Sequence, residues 1–377
     1  MRKLFAVCYF ISVTLLVITI SCKKKAETVN EDEEPYVLPA GWQEVPSPSQ
    51  IRTRHAAVLM EDGKVMISGG QNQTTSGYIT LNTCEIYDPV TNSWTPAGNM
   101  IKYRSLHSML TLKDGRIFVF GGFGTYDYYQ SGEVYNPATN TWILTPEISD
   151  LTLAGPPLLL LPDGNVLIFS KNSSYIYKPD SNLYVYCSIA SLINSGEVIG
   201  SALVNINDST FMVIGGGGIS PHNTSRIFIN GTSEIYAMNY NHSFSAALLL
   251  PDSTILLSHG RHTSREHPEL FDLVSRNWLN LDIMYDMFYG KLFLTHPGKV
   301  LAFGDVYMQE YDIANRSWTR KERPVACWNN GVDVPAVMLN DGKIFITGGW
   351  DLEKNPDPAT SYIVLSTQHQ KTYIYTP

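Results

Sequence analysis

Short apolar runs separated by turn residues recur along this chain, and the stretch from Arg104 to Trp142 shows the unit most fully. It reads RSLHSMLTLKDGRIFVFGG, then a variable segment, then GEVYNPATNTW. One apolar run ends at Asp114-Gly115, a second ends at Gly121-Gly122, and a third is centred on Tyr135. Asp-Gly pairs between β-rich runs predict two-residue hairpin turns. The unit is therefore predicted to be a four-stranded antiparallel meander.

This unit repeats through most of the sequence. Its first hairpin turn recurs at intervals of 44 to 52 residues, at Asp62-Gly63, Asp114-Gly115, Asp163-Gly164, Asp208-Ser209, Asp252-Ser253, Pro297-Gly298 and Asp341-Gly342. An apolar strand follows each of these turns. Copies at such a period predict a β-propeller with one sheet per repeat, and seven turns predict seven blades.

The two ends of the array complement each other. The last repeat has a third strand at Tyr373–Tyr375 and no fourth. Trp42 stands 13 residues before His55, as Trp94 stands 13 residues before His107. Trp42 is thus an outer strand with no blade before it. We predict that this strand completes the seventh blade, so that the N- and C-terminal strands close the ring.

Gly pairs end several of the second strands, at 69–70, 121–122, 215–216 and 348–349. Tyr and Trp residues follow these pairs along the chain. In this pattern the array resembles the kelch repeat of the galactose oxidase central-domain superfamily. The resemblance covers the chain from about Trp42 onward and implies an all-β, seven-bladed kelch-type β-propeller over residues 41–377. The aromatic pairs are expected to pack blade on blade. In the fourth repeat, Asn230-Gly231 predicts a primed hairpin and shorter outer strands.

The N-terminus carries targeting information. Met1-Arg2-Lys3 precedes an apolar run from Leu4 to Ile20, and Ser21-Cys22 follows. A basic start, an apolar segment and a small residue at the cut predict a secretory signal peptide over residues 1–21. The junction resembles a bacterial lipobox, which implies that Cys22 is acylated and that residues 22–40 form a flexible tether. The expected location is the bacterial cell envelope, lipid-anchored at the outer membrane.

Net charge and cysteine content limit the kinds of partner and cross-link that the sequence predicts. The formal net charge is −8 and no basic stripe is present, so no nucleic-acid partner is expected. Three cysteines, Cys84, Cys187 and Cys327, remain after the lipidation site, and they fall in different repeats. Such an odd, scattered set is not a disulfide framework. The membrane is expected as a partner through the lipid anchor, and the protein is expected to be a monomer.

One face of the predicted disc carries the longer loops, because the inner strands begin there and the second strands end there. These loops run over 71–83, 123–131, 217–224, 262–268 and 350–370. Binding surfaces are usually built on such loops. The candidate binding residues on this face are Arg54, His55, Arg104, His107, Arg261, His262, Trp350 and Asp351. Arg54, His55, Arg104 and His107 come just before or at the start of inner strands, so they are expected to ring the channel mouth. The alternative for these four residues is a hydrogen-bonding role between blades.

One segment has the donors for a metal site. His259, His262, Glu266 and His267 carry imidazole and carboxylate groups that suit zinc or copper. Their spacing matches no helix-borne zinc motif, and Arg261 and Arg265 oppose a cation. We therefore expect no metal site and no cofactor, and we read the segment as a polar loop.

Two enzyme families with kelch-like propellers are alternatives. Copper-radical oxidases that resemble galactose oxidase use a Tyr-His neighbour pair, and no Tyr in this chain is followed by His. Sialic acid mutarotases are secreted kelch propellers with acid–base residues on the loop face. Arg104 or Arg261 with Glu197 or Glu266 would supply such chemistry here.

No family motif of either enzyme class is matched residue by residue, and no catalytic residue is assigned. The sequence therefore favours a binding or interaction module for a glycan or protein ligand. Fold alone does not decide function, and the sugar mutarotase and the carbohydrate oxidase stay as alternatives.

Overall fold

A computed structural model describes residues 38–377 with internal gaps. The residues outside the description are 1–37, 76, 125–126, 149–154, 170–172, 188, 190–199, 218–220, 230–231, 259, 261–266, 283–289, 297, 305–307, 323, 325–334 and 354–363. Only the backbone is described for 349–353 and 364–370. No helix of the length and apolarity that a membrane crossing requires occurs among the described residues.

Seven four-stranded antiparallel sheets make up the described part of the chain, and each is one blade of a propeller. The strands of blades one to three, from the channel outward, are β2 (Ala56–Leu59), β3 (Val65–Ser68), β6 (Cys84–Asp88) and β7 (Ser93–Ala97); β8 (Ser108–Thr111), β9 (Ile117–Phe120), β10 (Ser131–Asn136) and β11 (Thr141–Glu147); and β12 (Leu158–Leu160), β13 (Val166–Phe169), β14 (Ser174–Lys178) and β15 (Leu183–Cys187). An extra hairpin in the first repeat consists of β4 (Gln71–Thr74) and β5 (Gly77–Thr80).

The remaining four blades follow the same order. Their strands are β16 (Ala202–Asn207), β17 (Thr210–Ile214), β18 (His222–Ile229) and β19 (Thr232–His242); β20 (Ala247–Leu249), β21 (Thr254–Leu257), β22 (Glu269–Asp272) and β23 (Asn277–Asn280); β24 (Lys291–His296), β25 (Lys299–Phe303), β26 (Met308–Asp312) and β27 (Ser317–Lys321); and β28 (Ala336–Met338), β29 (Ile344–Glu353), β30 (Val364–Tyr375) and β1 (Trp42–Val45). The first strands of neighbouring blades contact one another and form the channel wall. Each channel strand is therefore one edge of its sheet.

The seventh blade is completed from both chain ends, as predicted. Trp42 pairs with Tyr375, and Val45 pairs with Thr372. The Thr376 amide donates to the Gly41 carbonyl at 2.8 Å and extends the ladder by one bond. The channel strands β28 and β2 are in contact, so blade seven adjoins blade one and the ring is closed.

Cross-strand aromatic pairs hold the outer half of most blades together. The predicted pairs Tyr87–Trp94 and Tyr135–Trp142 lie opposite each other, with ring centroids 5.3 and 5.1 Å apart. Tyr87 also packs on Phe345 of blade seven at 5.0 Å, which confirms the expected packing of blade on blade. Such pairs contribute about 0.5–1.5 kcal/mol beyond the area they bury.

In blades one, two and seven the outer-strand tryptophan also ties the blade to the preceding one through its indole N–H. Trp94 Nε1 donates to the Pro46 carbonyl at 2.7 Å, just past the outer strand of blade seven. Trp142 Nε1 donates to Gly98 in the same way. Trp42 Nε1 donates to Glu322 at 3.0 Å, just past the outer strand of blade six. Trp42 therefore makes the same contact as the other two, although it belongs to the last blade.

In blades one, two, three, five and seven the first hairpin differs from the two-residue turn predicted for it. In blades four and six, Asn207 pairs with Thr210 and His296 pairs with Lys299, as the predicted two-residue connection requires. Gly63 N–H donates to Met60 C=O, and Met60 N–H donates to Lys64 C=O. The loop thus has three residues, a type I turn closed by a left-handed residue, and Gly63 has φ +83°. Asp62 Oδ1 accepts from the Lys64 amide at 3.2 Å, which explains the aspartate before the glycine.

Blade four also departs from the prediction. Ile229 pairs with Thr232 across Asn230-Gly231, as a two-residue connection requires. The outer strands have eight residues in β18 and eleven in β19, more than the four to seven residues of the third and fourth strands of the other blades apart from β30, so the expectation of shorter strands was wrong.

Candidate functional site

The loop face carries a surface built from three segments of blades one and two. They are the hairpin β4–β5, the link 99–107 between the two blades, and the loop 123–131 after β9. We call these three segments the tyrosine platform. Thr80 Oγ1 donates to the Gly124 carbonyl at 3.3 Å and joins the hairpin to the loop. The Arg104 amide donates to the Leu81 carbonyl at 3.0 Å and joins the link to the base of the hairpin.

Each of the three segments exposes a tyrosine. The exposed fractions are 52% for Tyr78 in the hairpin, 51% for Tyr103 in the link and 44% for Tyr128 in the loop. Ile79 and Ile101 beside them are about equally exposed. Large apolar side chains grouped on loops of one face mark a binding surface more often than a structural feature. The platform is therefore the candidate functional site.

The platform is braced from beneath by basic side chains. Arg54 Nη1 donates to Gln71 Oε1 at 3.0 Å and so holds the first residue of β4. Lys102 Nζ lies 4.8 Å from the centroid of the Tyr129 ring and also pairs with Glu147 at 3.0 Å. The Arg104 guanidinium approaches the same ring at 4.9 Å. Tyr129 thus stacks against two cations and fixes the loop that presents Tyr128.

Arg104 occupies a different position from the one expected, which was the channel mouth. Its side chain and that of Glu133 are both fully buried, and Nε donates to Glu133 Oε1 at 3.0 Å. Nη1 donates to the carbonyls of Gly121 and Ser131. Burial lowers the pKa of Arg104, while the Glu133 carboxylate acts in the opposite direction. The guanidinium closes the top of blade two and faces protein on the described sides.

Sequence reasoning missed the equivalent group in blade one. Arg52 is fully buried and donates to Glu85 Oε1 at 2.8 Å and to the Gly69 carbonyl at 2.8 Å. A signal was available, since Arg52 follows Trp42 by ten residues and Arg104 follows Trp94 by ten. In blade five, His242 Nε2 lies 3.0 Å from Glu269 Oε2, again with both side chains buried.

His55 and His107 are buried beneath the loop face. His107 Nε2 lies 2.8 Å from Ser68 Oγ of the neighbouring blade, so the inter-blade role left open for it is present. Neither ring nitrogen of His55 has a hydrogen-bond partner among the described residues. Burial and Arg104 lower the pKa of His107 to about 3, and burial, with Arg52, holds the pKa of His55 well below its ordinary value. Both rings are therefore neutral near pH 7.

Of the remaining candidate residues, the structure describes only the backbone of Trp350 and Asp351. Trp350 and Asp351 lie in β29, where Trp350 pairs with Gln368 of β30. The segment predicted as a long loop is thus partly a strand extension of blade seven. Arg261, His262, Glu197 and Glu266 lie outside the described residues, as does Cys22. Arg54 contacts Gln71 and Arg104 contacts Tyr129, both residues of the platform, and the binding roles of all eight candidates remain predictions.

Among the described residues, no three His, Cys, Asp or Glu side chains converge as a metal site. Cys84 is buried and Cys187 half-buried, and both are free thiols. The segment singled out as a possible metal loop lies almost wholly outside the described residues.

Comparison with known proteins supports the repeat assignment. The model of the Kelch motif matches residues 52–101 and 104–147, which are blade one and blade two with their links. A galactose oxidase of Gibberella zeae is 28% identical over 148 residues, which cover 37% of this chain and 21% of that protein. A Kelch repeat and BTB domain-containing protein of Caenorhabditis elegans is 37% identical over 78 residues, 21% of this chain and 13% of that protein. The chain thus spans about a fifth or less of these relatives.

Two solved structures are similar at low identity. One is a fungal alcohol oxidase of the AA5 family in complex with copper, with 19% identity, 86% of this chain and 62% of that chain covered, and a TM-score of 0.48. The other, the structure of YjhT, has 14% identity, coverage of 62% and 85%, and a TM-score of 0.49. Neither likeness bears on activity. Seven four-stranded blades show that the described part of the chain is a seven-bladed β-propeller, and its first two blades match the Kelch motif.

Proposed function

We propose that this protein is a binding module that holds a glycan on the tyrosine platform. The kelch propeller fold is typical of protein-interaction modules, and the platform determines which ligand fits best. Three half-exposed tyrosines in three braced segments are the observation that carries the proposal. A tyrosine presents a flat apolar ring together with a hydroxyl, and a sugar ring likewise presents an apolar C–H face with polar edges.

The polar neighbours of the tyrosines suit the same ligand. The hairpin adds the amides of Asn72 and Gln73 and the hydroxyls of Thr74 and Thr80, all within the platform. Amides and hydroxyls donate and accept hydrogen bonds and so match sugar hydroxyls. The cations of the platform are engaged with Tyr129, Glu133 and Glu147, which favours a neutral ligand over an anionic polymer.

A glycan array with the purified protein tests the proposal. We expect binding to neutral glycans and a loss of at least ten-fold when Tyr78, Tyr103 and Tyr128 are replaced together by alanine. Tyr186→Ala is the matched control, since Tyr186 is 58% exposed but lies on β15, the outer edge of blade three. Equal binding by the triple variant and the parent would show that the platform is not the glycan site.

A protein ligand on the same face is the second candidate, and the kelch fold favours it. A pull-down from envelope extracts with the parent and the triple tyrosine variant distinguishes the two. A protein captured by the parent alone, with no glycan bound on the array, would replace the glycan proposal.

We also propose that the module is anchored in the bacterial cell envelope through an acylated Cys22. The basic, apolar and Ser-Cys series at residues 1–22 supports this. Acyl chains contribute about 0.8 kcal/mol per buried methylene, so two or more chains give stable anchoring. Mass spectrometry of the mature N-terminus should show an acylated Cys22. A chain that begins elsewhere, or an unmodified Cys22, would contradict the anchor.

A further inference from the structure

A cavity of about 440 Å³ lies in the central channel, apart from the tyrosine platform. Its walls are the first residues of the channel strands in blades three to six, at Pro157–Leu158, Ser201–Leu203, Ser245–Ala247 and Gly290–Phe293. Channel strands begin at the loop face, so the cavity lies toward that end of the channel. Its volume falls within the range of small-molecule sites, about 300–1,000 Å³.

Lys291 carries the formal charge among the described residues that line this cavity. Its Nζ donates to the Ala336 carbonyl of β28 at 3.3 Å, which places the ammonium at the seam between blades six and seven. Lys291 is also near enough to His55 to contribute to the lowered pKa of that ring. A cation in this cavity contrasts with the net charge of −8 on the whole chain.

Backbone donors face the same space. The Phe169 amide donates to the Pro157 carbonyl, and the Ser258 amide donates to the Ala246 carbonyl, both toward the second strand. Because the polar groups of successive residues in a strand point to opposite sides, the N–H groups of Leu158 and Ala247 point into the channel together with the carbonyl oxygens of the same residues. Edge N–H groups of this kind are available to a ligand.

A second described cavity has a different lining. It has a volume of about 360 Å³ and lies among the first hairpin turns, where Glu61, Asp62 and Asp114 line it with carboxylates. Those groups repel an anion, although Arg116 is also present. The channel cavity instead combines one ammonium with apolar walls at Leu203 and Phe293.

We propose that the channel cavity binds a small organic carboxylate of sugar-acid size, with its carboxylate on Lys291 and its ring or chain against the apolar wall. This site is independent of the platform and of its glycan. The charge-assisted hydrogen bond fixes the carboxylate, and the edge N–H groups of the channel strands bind the remaining oxygens.

The test uses a pair of probes that differ only at one carbon. D-Glucuronate and D-glucose share a ring and differ in a carboxylate against a hydroxymethyl group. In titration calorimetry with the purified protein, we expect glucuronate to bind at least ten-fold more tightly than glucose. Lys291→Met should abolish this difference, and Lys291→Arg should retain most of it. Lys343→Met is the control, because Lys343 pairs with Asp341 at the turn of blade seven and lies outside the cavity.

Several results would overturn the proposal. They are equal binding of the two sugars, unchanged glucuronate binding by the correctly folded Lys291→Met variant, and inorganic phosphate that displaces glucuronate at equal concentration. Folding of each variant is checked by its melting temperature, and a Lys291→Gln variant replaces one that fails to fold. The triple tyrosine variant should bind glucuronate like the parent. Loss of binding in that variant would move the site to the platform and contradict the cavity assignment.

Discussion

At the scale of single residues, the third strand of several blades ends in a tyrosine whose hydroxyl needs a partner inside the protein. Tyr87 and Tyr135 donate to the side-chain oxygens of Asn92 and Asn140, five residues later, at 2.7 and 2.8 Å. These asparagines have φ of 51° and 55°, a left-handed conformation that asparagine tolerates well. Asparagine thus both adopts the left-handed backbone of the turn and accepts the hydrogen bond of the tyrosine hydroxyl.

Blade six lacks this arrangement, and the lack predicts a stabilising substitution. Arg316 stands five residues after Tyr311 with φ 52°, and the buried Tyr311 hydroxyl has no partner among the described residues. We expect Arg316→Asn to raise the free energy of unfolding by about 1–2 kcal/mol, because it satisfies the hydroxyl and eases the backbone. Urea unfolding of the variant and the parent measures the gain.

Blade five supplies the control for this prediction. Arg276 occupies the same turn position with φ 58°, but the residue before the turn is Phe271, which has no hydroxyl. Arg276→Asn should therefore relieve backbone strain without adding a hydrogen bond. The gain at Arg316 should exceed that at Arg276 by about 1 kcal/mol. Equal gains would show that the tyrosine hydroxyl contributes nothing.

The buried histidines predict a fall in stability in acid. Burial lowers the pKa of both rings, that of His107 to about 3, so the folded protein excludes protons that the unfolded chain binds below about pH 6.5. Stability is therefore full above that pH and falls as the pH decreases toward 3, by up to about 1.4 kcal/mol per pH unit for each ring. Urea unfolding between pH 7 and pH 4 measures the slope.

A substitution tests whether His107 causes this fall in stability with decreasing pH. His107→Gln should lower stability at pH 7, since packing is lost, yet its stability should fall less steeply with acid than that of the parent. His296→Gln replaces a histidine at the surface and serves as the control. An unchanged slope in His107→Gln would rule out this ring as a source of acid sensitivity.

Residues of the site were harder to predict than residues of the repeat. Arg104 was expected at the channel mouth because it precedes an inner strand, and it does precede the channel strand β8. Its burial depends on Glu133, 29 residues later, and no local pattern shows that the two side chains meet. The exposed tyrosines sit in loops whose position was predicted, but their conformation depends on contacts such as Thr80 with Gly124.

At the scale of elements, the first hairpin of the blades shows what a turn sequence determines. The Asp-Gly pair correctly predicted a turn at each site, while the number of loop residues was wrong by one. Gly63, Gly115, Gly164 and Gly342 all have φ between 81° and 88° in the bulge position. The dipeptide fits both a two-residue and a three-residue hairpin, so the flanking ladder decides between them.

This geometry predicts the effect of adding a methyl group to the turn of blade seven. Gly342 has φ +82° and no atom within 4 Å of an added Cβ, so Gly342→Ala tests backbone strain without a clash. We expect a loss of about 1 kcal/mol in the free energy of unfolding. Gly115→Ala is unsuitable, since its Cβ would meet the Glu61 carboxylate.

Blade five again gives the matched variant. Ser253 already has φ +64° at the same position. Ser253→Gly should raise the free energy of unfolding by a few tenths of a kcal/mol, because relief of strain exceeds the added entropy of the unfolded chain. Changes of the same sign at Gly342 and Ser253 would contradict this account of the turn.

At the scale of the whole molecule, periodicity predicted the fold more reliably than any single segment did. Blade count, strand order and ring closure followed from seven turns and from the spacing of Trp42 and Trp94. Each repeat cannot bury its apolar faces alone, so its sequence carries the requirement for a neighbour on both sides. The ligand leaves no such periodic trace, because binding residues differ from blade to blade.

Ring closure gives the last prediction. Trp42 is 7% exposed and packs between Tyr375 of its own blade and Phe303 of blade six, at centroid distances of 5.0 and 6.1 Å. Removing β1 exposes these aromatic rings and leaves β30 as an open edge that invites association. Deletion of residues 36–48 should therefore unfold or aggregate the domain, and deletion of 23–34 should leave its melting temperature within about 2 °C of the parent. A synthetic peptide of residues 36–48, added to the truncated chain, should restore the melting transition, and the same peptide with Trp42→Ala should not. A truncated chain that melts at the temperature of the parent would show that β1 is dispensable, and that contacts within blade seven alone keep the ring closed.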